Sequence, residues 1–503
     1  MCIGNTVRKF ALLFALPAIV FAQEEPRDTI PEPAWFVGSI AQLDSAIEAT
    51  LDAPELRDGF QGVVIRSLET GETIHERNAE KLFMPASNLK LFTTSAALLA
   101  LGPDYRYRTE LYASGELDGT ILRGDLIVKG YGDPTISGRF HEGDIDAIFE
   151  SWADSLVELG VDEIAGNLVG DDNAFDDRGL GTGWQWDYES LWYAAPSGAL
   201  SFNDNCVEIL LEPTEVGAPP ELTLDPDVDY VVVNNRATTV PRDSTTAVVV
   251  NRERGSNLVT VYGSVKESAK RLTTYATVTN PTQYFLVALK SILERKGIAV
   301  TGYAIDADDL DDPIGYEEAR LLFIHYSPTV AEIVKVVNKS SQNFYAEQLL
   351  KTLGFEFAGE GAAKAGVETA TARLRENGVP LENAIIVDGS GLSRLNFVSP
   401  EQIVAVLVRM YSSNVFQEFY NSLPVAGVDG TMASRLKRSR AGDNARAKTG
   451  YVLAARALSG YVHTGDGEPV AFALVANNYS APYAMVDKVQ DAVVDLLASF
   501  KRK

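Results

Sequence analysis

Apolar residues recur every three to four positions across residues 84–101, at Leu89, Phe92, Ala96 and Leu99. That spacing predicts a helix with one face in a core. Pro85 stands before its first turn, and Gly102-Pro103 closes it. The same spacing at Ile40, Leu43, Ile47 and Leu51 predicts a helix over 39–51. At the far end, residues 483–500 place Val486, Val489, Val493, Leu496, Leu497 and Phe500 on one face. The opposite face carries Asp487, Asp491 and Asp495 rather than a basic stripe, so this helix is expected to pack on a sheet and not on a membrane. Further helices are expected over 144–159, 281–296, 329–339, 341–353 and 400–410. Alternating segments predict a hairpin over 60–74 around Glu69-Thr70-Gly71-Glu72, and three late strands over 445–453, 457–463 and 470–477. Short strands at 107–113, 122–128, 164–169, 206–211, 230–233, 246–250 and 258–262 fill the middle, the last four as a small all-β module.

The two ends of the chain therefore read as helices with antiparallel strands, and the middle as different material. The economical arrangement is one α/β domain assembled from both ends, with a β-rich insertion between them.

Composition narrows the setting. The chain has 503 residues, 46% of them hydrophobic, and a formal net charge of −25. It is long enough for several cores. An acidic chain of this kind repels nucleic acid and anionic membrane, so neither is an expected partner. Residues 1–22 have the form of a secretory signal: Arg8-Lys9, a short apolar run from Phe10, and Val20-Phe21-Ala22 before a cleavage site preceding Gln23. Charged, Pro-rich residues follow as a linker. No other apolar run is long enough for a membrane anchor. Once the leader is removed only Cys206 remains, which excludes a disulfide framework.

Ser87 and Lys90 lie three apart, so both side chains leave the same helix face about one turn apart. A hydroxyl at a helix start with a buried ammonium one turn on has the form of an activated nucleophile with its base. A bare Ser-x-x-Lys is also compatible with a capping serine and a surface lysine. The commoner enzyme signatures do not fit. The four histidines, His75, His141, His325 and His463, stand at no metal-ligand spacing, so neither a metal nor a cofactor is expected. Asp388-Gly389-Ser390-Gly391 misses the Gly-x-Ser-x-Gly elbow at its first position. Residues 442–449 miss the phosphate loop, with Ala447 before Lys448. Two companions change the weight of Ser87. Ser341-Gln342-Asn343 opens a helix, and Lys448-Thr449-Gly450 lies on an alternating strand. Ser-x-x-Lys, Ser-x-Asn and Lys-Thr-Gly, in that order and each in fitting local structure, form the constellation of serine enzymes that bind penicillin.

With these motifs the chain resembles the low-molecular-mass class C penicillin-binding proteins, the serine D-alanyl-D-alanine carboxypeptidase/endopeptidase family. Further landmarks are Met84-Pro85-Ala86-Ser87, Gly124-Asp125-Leu126-Ile127, Gly132-Asp133-Pro134-Thr135, Ala195-Pro196 and Asp388-Gly389-Ser390-Gly391-Leu392-Ser393-Arg394. The long gap between Ser87 and Ser341 resembles this class, which carries extra domains there. The resemblance implies an α/β (α+β) fold of the β-lactamase/transpeptidase type, a five-stranded antiparallel sheet beside a helical cluster with β-rich domains inserted. The expected division is a signal at 1–22, a linker at 23–36, a first catalytic segment at 37–107, an insertion at 108–279 and a second catalytic segment at 280–503. Within the insertion an outer α/β part (108–200 and 256–279) surrounds an all-β module (201–255).

The resemblance also implies roles. Ser87 is the nucleophile and Lys90 the base. Ser341 and Lys448 pass a proton to the leaving amine, and Asn343 holds Lys90 and the substrate amide. Lys448 and Thr449 bind the terminal carboxylate on the Lys448-Thr449-Gly450 strand, and the N–H groups of Ser87 and Tyr451 form the oxyanion hole. Arg394, with Asp187 and Tyr193 from the insertion, is expected to receive a diamino acid side chain, although Tyr188 departs from the family pattern of an acidic residue. The stretch from Trp184 to Tyr193 fits either a pinned surface loop or a cleft wall.

The reading that follows is a secreted or periplasmic serine carboxypeptidase or endopeptidase. It would act on peptidoglycan stem peptides ending in D-Ala-D-Ala and be acylated by β-lactams. A β-lactamase and a non-catalytic wall scaffold are the alternatives. Against the first stand the extra domains and the absence of an evident deacylating Glu. Against the second stands the presence of Ser87, Lys90 and Lys448.

Overall fold

The computed structural model describes residues 35–503. The expected leader and nearly all of the expected linker lie outside the described residues.

Both ends of the chain meet in one antiparallel sheet. Its five strands run in the order Arg446–Val452, Ala455–His463, Pro469–Asn477, Phe60–Ser67 and Thr73–Arg77. The expected early hairpin thus docks beside the three late strands, with Gly62 opposite Val475. Both faces of the sheet are covered, which is why its strands read as apolar runs: Val63, Val64 and Ile65 are all buried. One face packs Val63, Ile65, Leu458 and Phe472 against Leu43 and Ile47 of the helix Ile40–Leu51 and Val493 and Leu497 of the helix Tyr483–Ser499. Ser39 and Gln42 form a reciprocal capping box that starts the first of these helices.

The other face packs Val64, Ala457, Ala473 and Val475 against a helical cluster. Its members include Lys90–Ala100, Val330–Lys339, Asn343–Ala358 and Pro400–Tyr411. The helix expected over 84–101 begins as a 3-10 turn at Ala86–Leu89 and becomes α-helical only at Lys90. Ala363–Glu376, a helix not expected from the sequence, joins the cluster. Its buried residues are Ala365, Gly366, Ala370 and Leu374, so its apolar stripe is too thin to read. Gly366 is required there, because a Cβ would stand 2.1 Å from the carbonyl oxygen of Leu350.

A second body has its own core. A mixed five-stranded sheet runs Ala304–Asp306, Leu168–Asp171, Leu126–Gly130, Arg106–Ala113 and Arg320–Thr329. Leu111, Val128 and Leu168 pack with Phe149 and Trp152 of the helix Ala147–Glu158 and Phe285 and Leu289 of the helix Pro281–Arg295. The segments expected as single strands at 122–128 and 164–169 each divide between two sheets. The break falls at Gly124 in one and beside Gly166 in the other, where a Cβ on Gly166 would lie 2.2 Å from the Gly124 carbonyl oxygen.

Strand pairing also moves the expected boundaries. The helix Pro281–Arg295 and the strand Arg320–Thr329 belong with the inserted body and not with a catalytic segment beginning at 280. The strand pairs with Arg106–Ala113, and the helix fills the second core. The chain re-enters the helical cluster at Val330. The all-β material likewise runs beyond 255. Leu258–Lys266 is the central strand between Val232–Val240 and Ala247–Arg252, and Leu272–Thr277 pairs with Cys206–Glu212. Leu272–Thr277, with three threonines in six residues, carries little apolar alternation in the sequence. No helix among the described residues is long and apolar enough to cross a membrane.

Phe472 is fully buried between the sheet and the two terminal helices. Phe472→Ala should lower stability by about 3–5 kcal/mol, the usual cost of an aromatic cavity, as read by urea denaturation.

Candidate active site

The site lies where the helical cluster meets the strand Arg446–Val452. Ala86 holds a positive φ of 48° at the start of the 3-10 turn, so the chain bends sharply before presenting Ser87. The turn is fastened to the strand, because the Asn88 side-chain amide donates to the Lys448 carbonyl at 2.8 Å. Gly450 passes so close that a Cβ would stand 2.7 Å from the Pro85 carbonyl oxygen. The glycine of Lys-Thr-Gly is therefore dictated by this approach.

Lys90 is fully buried. Its Nζ donates to Ser87 Oγ at 3.1 Å, to Asn343 Oδ1 at 2.6 Å and to the Ser390 carbonyl at 2.6 Å. Three acceptors match the three donors of an ammonium. Burial pushes its pKa down to about 7, against the opposing pull of Asp388 and then Glu347. Near neutrality the group is therefore poised between ammonium and amine. As an amine it has a lone pair to offer the Ser87 hydroxyl.

A second buried lysine stands nearby. Lys448 Nζ donates to Ser341 Oγ and to the Thr449 carbonyl, each at 2.8 Å. Burial holds its pKa well below the ordinary lysine value, and repulsion from Lys90 and Arg456 adds to this. Ser341 has a positive φ of 56°, a strained conformation for a serine and one that aims its hydroxyl at this ammonium. Thr449 Oγ1 donates to Thr431 Oγ1 at 2.7 Å. Asn343 joins the two halves of the molecule: its Oδ1 takes Lys90, and its Nδ2 donates to the Tyr193 carbonyl of the inserted body at 2.6 Å.

The structure thus brings Ser87, Lys90 and Asn343 into one hydrogen-bonded set and Ser341, Lys448 and Thr449 into an adjoining one. Arg394, Asp187, Tyr193 and Tyr451 form a looser group linked through the Tyr188 and Tyr193 rings. Tyr188 and Tyr193 meet edge to face at 5.5 Å between ring centroids. Burial raises the Tyr188 hydroxyl pKa, Asp187 adds to the rise and Arg394 opposes it, so both charges reach this ring. Burial likewise raises the Tyr193 hydroxyl, with Tyr188, Asp187 and Tyr451 reinforcing it. Asp187 itself is exposed on the short turn Trp186–Tyr188. Arg394 donates to the Leu453 carbonyl beyond the end of the active-site strand.

Sequence reasoning missed four contributors. Asp388, named only as part of a landmark, is fully buried. It accepts from the Gly391 and Ser393 N–H groups, from Asn396 Nδ2 and from Trp184 Nε1. Glu347 is buried beneath the same turn. Ser390 contributes a backbone carbonyl, and Asn88 an amide. Glu347 did carry a signal, since it follows Asn343 by four residues and so shares its helix face. The Ser390 carbonyl carried none.

Among the described residues the only cluster of His, Cys, Asp and Glu side chains close enough to share a metal ion is Asp172, Asp306 and Asp308. It sits in the inserted body, on elements other than those that carry Ser87 and Lys448.

Comparison with known proteins places the chain in a family. Residues 43–500 match the model of the D-Ala-D-Ala carboxypeptidase 3 (S13) family. A D-alanyl-D-alanine carboxypeptidase of an Actinomadura species is 34% identical over 92% of this chain and 85% of its own. The D-alanyl-D-alanine carboxypeptidase DacB of Haemophilus influenzae is 27% identical over 83% of this chain and 85% of its own. The crystal structure of penicillin binding protein 4 from Haemophilus influenzae superposes with a TM-score of 0.77 at 24% identity, covering 90% of this chain and 99% of that one. The same architecture, a transpeptidase-like domain with β-rich insertions, is therefore present in both. The chain belongs to the D-Ala-D-Ala carboxypeptidase 3 (S13) family of serine-type hydrolases, as a low-molecular-mass class C penicillin-binding protein.

Proposed function

We propose that this enzyme cleaves peptidoglycan stem peptides ending in D-Ala-D-Ala through an acyl-enzyme on Ser87, outside the cytoplasm after loss of its leader. The observation that carries the reading is the buried Lys90 Nζ hydrogen-bonded to both Ser87 Oγ and Asn343 Oδ1. A base in hydrogen-bond reach of the hydroxyl it deprotonates is the first requirement of serine acylation.

In this mechanism neutral Lys90 takes the Ser87 proton as Oγ attacks the carbonyl of the penultimate D-alanine. The N–H groups of Ser87 and Tyr451 receive the developing oxyanion, an interaction worth a few kcal/mol in comparable sites. Lys448 and Thr449 hold the terminal carboxylate, and its arrival favours the ammonium form of Lys448. Ser341, hydrogen-bonded to that ammonium, passes a proton to the departing D-alanine amine. Asn343 fixes Lys90 and turns its amide toward the peptide. Water then hydrolyses the ester. Endopeptidase action uses the same steps with a cross-bridge amine as the leaving group. Arg394, Asp187 and Tyr193 supply charge and aromatic surface for the diamino acid side chain. A β-lactam places its carboxylate and strained carbonyl in the same two subsites. Support for this last point comes from the Haemophilus influenzae relative, whose structure has been described in complex with a β-lactam.

Incubation with a pentapeptide stem should release free D-alanine, and Ser87→Ala should reduce the rate roughly a thousandfold or more. Unchanged release by Ser87→Ala would overturn the reading. Splitting of cross-linked muropeptide dimers in the same assay reports endopeptidase action.

Acylation should also follow the protonation of Lys90. Its pKa is lowered to about 7, and the reactive form is the deprotonated one. The rate of acylation by a β-lactam should therefore rise with pH and level off above about 8, and at pH 6 it should be about tenfold below the plateau. A rate independent of pH between 5 and 8 would remove Lys90 as the base.

A further inference from the structure

Beneath the general base lies a carboxylate that the mechanism above does not use. Glu347 sits one helical turn after Asn343 and is almost fully buried. Its Oε1 accepts from the Ser390 N–H at 2.8 Å, and both its oxygens accept from the Gly389 N–H, at 3.1 and 3.0 Å. Two successive peptide N–H groups form a small anion-binding nest. The carboxylate is thus satisfied by backbone. A buried carboxylate held this way costs stability that an apolar side chain of similar size would not.

The nest belongs to the turn that holds Lys90. The peptide whose N–H group binds Glu347 precedes Ser390, and the Ser390 carbonyl accepts Lys90 Nζ at 2.6 Å. The Gly389 carbonyl accepts from Thr93 Oγ1 at 2.7 Å, on the same helix as Lys90. Asp388 pins the other side of the turn. The backbone is crowded here. A Cβ on Gly389 would stand 2.6 Å from the Ala346 carbonyl oxygen, and one on Gly391 would stand 1.9 Å from the Ala86 carbonyl oxygen. Little else could fill the role, since the turn touches the nucleophile's own loop on one side and the Asn343 helix on the other.

The geometry points to Glu347 as a positioning residue for the base: by binding the Gly389 and Ser390 N–H groups it fixes the carbonyl that orients Lys90 Nζ toward Ser87. This rests on the reading of Lys90 as the base. Glu347 acts in two ways. It holds the turn, and its negative charge favours the ammonium form of Lys90. The charged groups that face this pair are Asp388 on the turn, Lys90 on its helix and Lys448 on the strand, with Arg456 acting on Lys448. Lys351, the next charged residue along the helix from Glu347, is engaged by Asp176. Burial, with Asp388 adding, raises the pKa of Glu347 itself.

The test is the pH profile of acylation by a fluorescent penicillin in the full chain, comparing wild type with Glu347→Gln and Glu347→Asp. Gln keeps the shape, loses the charge and turns an N–H donor toward the nest. In Glu347→Gln the acid limb should move to lower pH by about half a unit or more, and the plateau rate should fall about tenfold. Asp keeps the charge one methylene further from the nest. In Glu347→Asp the limb should stay near the wild-type position while the plateau falls. A purely structural Glu347 would lower the melting temperature without moving the limb in Glu347→Gln, and that result overturns the proposal. A wild-type rate and limb in either folded variant also overturns it, and Glu347→Asp alone decides if Glu347→Gln does not fold. Failure of the underlying reading looks different, because wild type itself would then show no acylation, or acylation that survives Ser87→Ala.

Discussion

A lysine nitrogen has to be kept out of water and still be satisfied, and the site is built around that requirement. An uncompensated buried ammonium costs several kcal/mol. Lys90 escapes the cost by donating to a hydroxyl, a side-chain amide and a peptide carbonyl that come from three separate stretches of chain. Each acceptor fixes a different element. Ser87 sets the start of its own helix, Asn343 sets the helix Asn343–Ala358, and Ser390 sets the turn after Asp388. The same burial makes the nitrogen basic at a useful pH. Lys448, also buried, is the second consequence, since two such ammoniums side by side oppose each other and favour loss of a proton.

The inserted body is part of this arrangement. The carbonyl of Tyr193 takes the Asn343 amide, and the Trp184 indole reaches Asp388. Along the helix that carries Asn343, Gln342 donates to Asp204, Gln348 donates to the carbonyls of Gly132 and Gly198, and Lys351 pairs with Asp176. A helix held at Gln342, Asn343, Gln348 and Lys351 on its insertion side cannot slide or rotate without breaking several of these contacts. The orientation of Asn343, and through it of Lys90, is thereby shared between the two bodies.

What the sequence could and could not disclose follows from the same physics. Periodicity revealed the helices that present Leu, Val, Ile or Phe to a core, such as Ile40–Leu51 and Tyr483–Ser499. It failed for Ala363–Glu376, where close packing demands Ala and Gly, and for the threonine-rich strand Leu272–Thr277. The boundary at 280 fell too early because the helix Pro281–Arg295 has the texture of the catalytic helices, and only pairing and core membership place it elsewhere. In the site, side chains with spaced motifs were legible: Ser87, Lys90, Ser341, Asn343 and Lys448. Contacts made by backbone, such as the Ser390 carbonyl and the Tyr193 carbonyl, leave no residue-type signature. Asp388 and Glu347 lay between these cases, visible as charges and silent about what they hold.

The proposed chemistry rests on the Ser87 hydroxyl, activated by a buried lysine, forming a covalent intermediate. Its most direct measurement is intact-mass analysis of the protein after treatment with a penicillin, followed by peptide mapping of the adduct. One penicilloyl group should be added per chain, carried by the peptide that contains Ser87. An adduct on any other residue, or no adduct from folded protein, would contradict this chemistry.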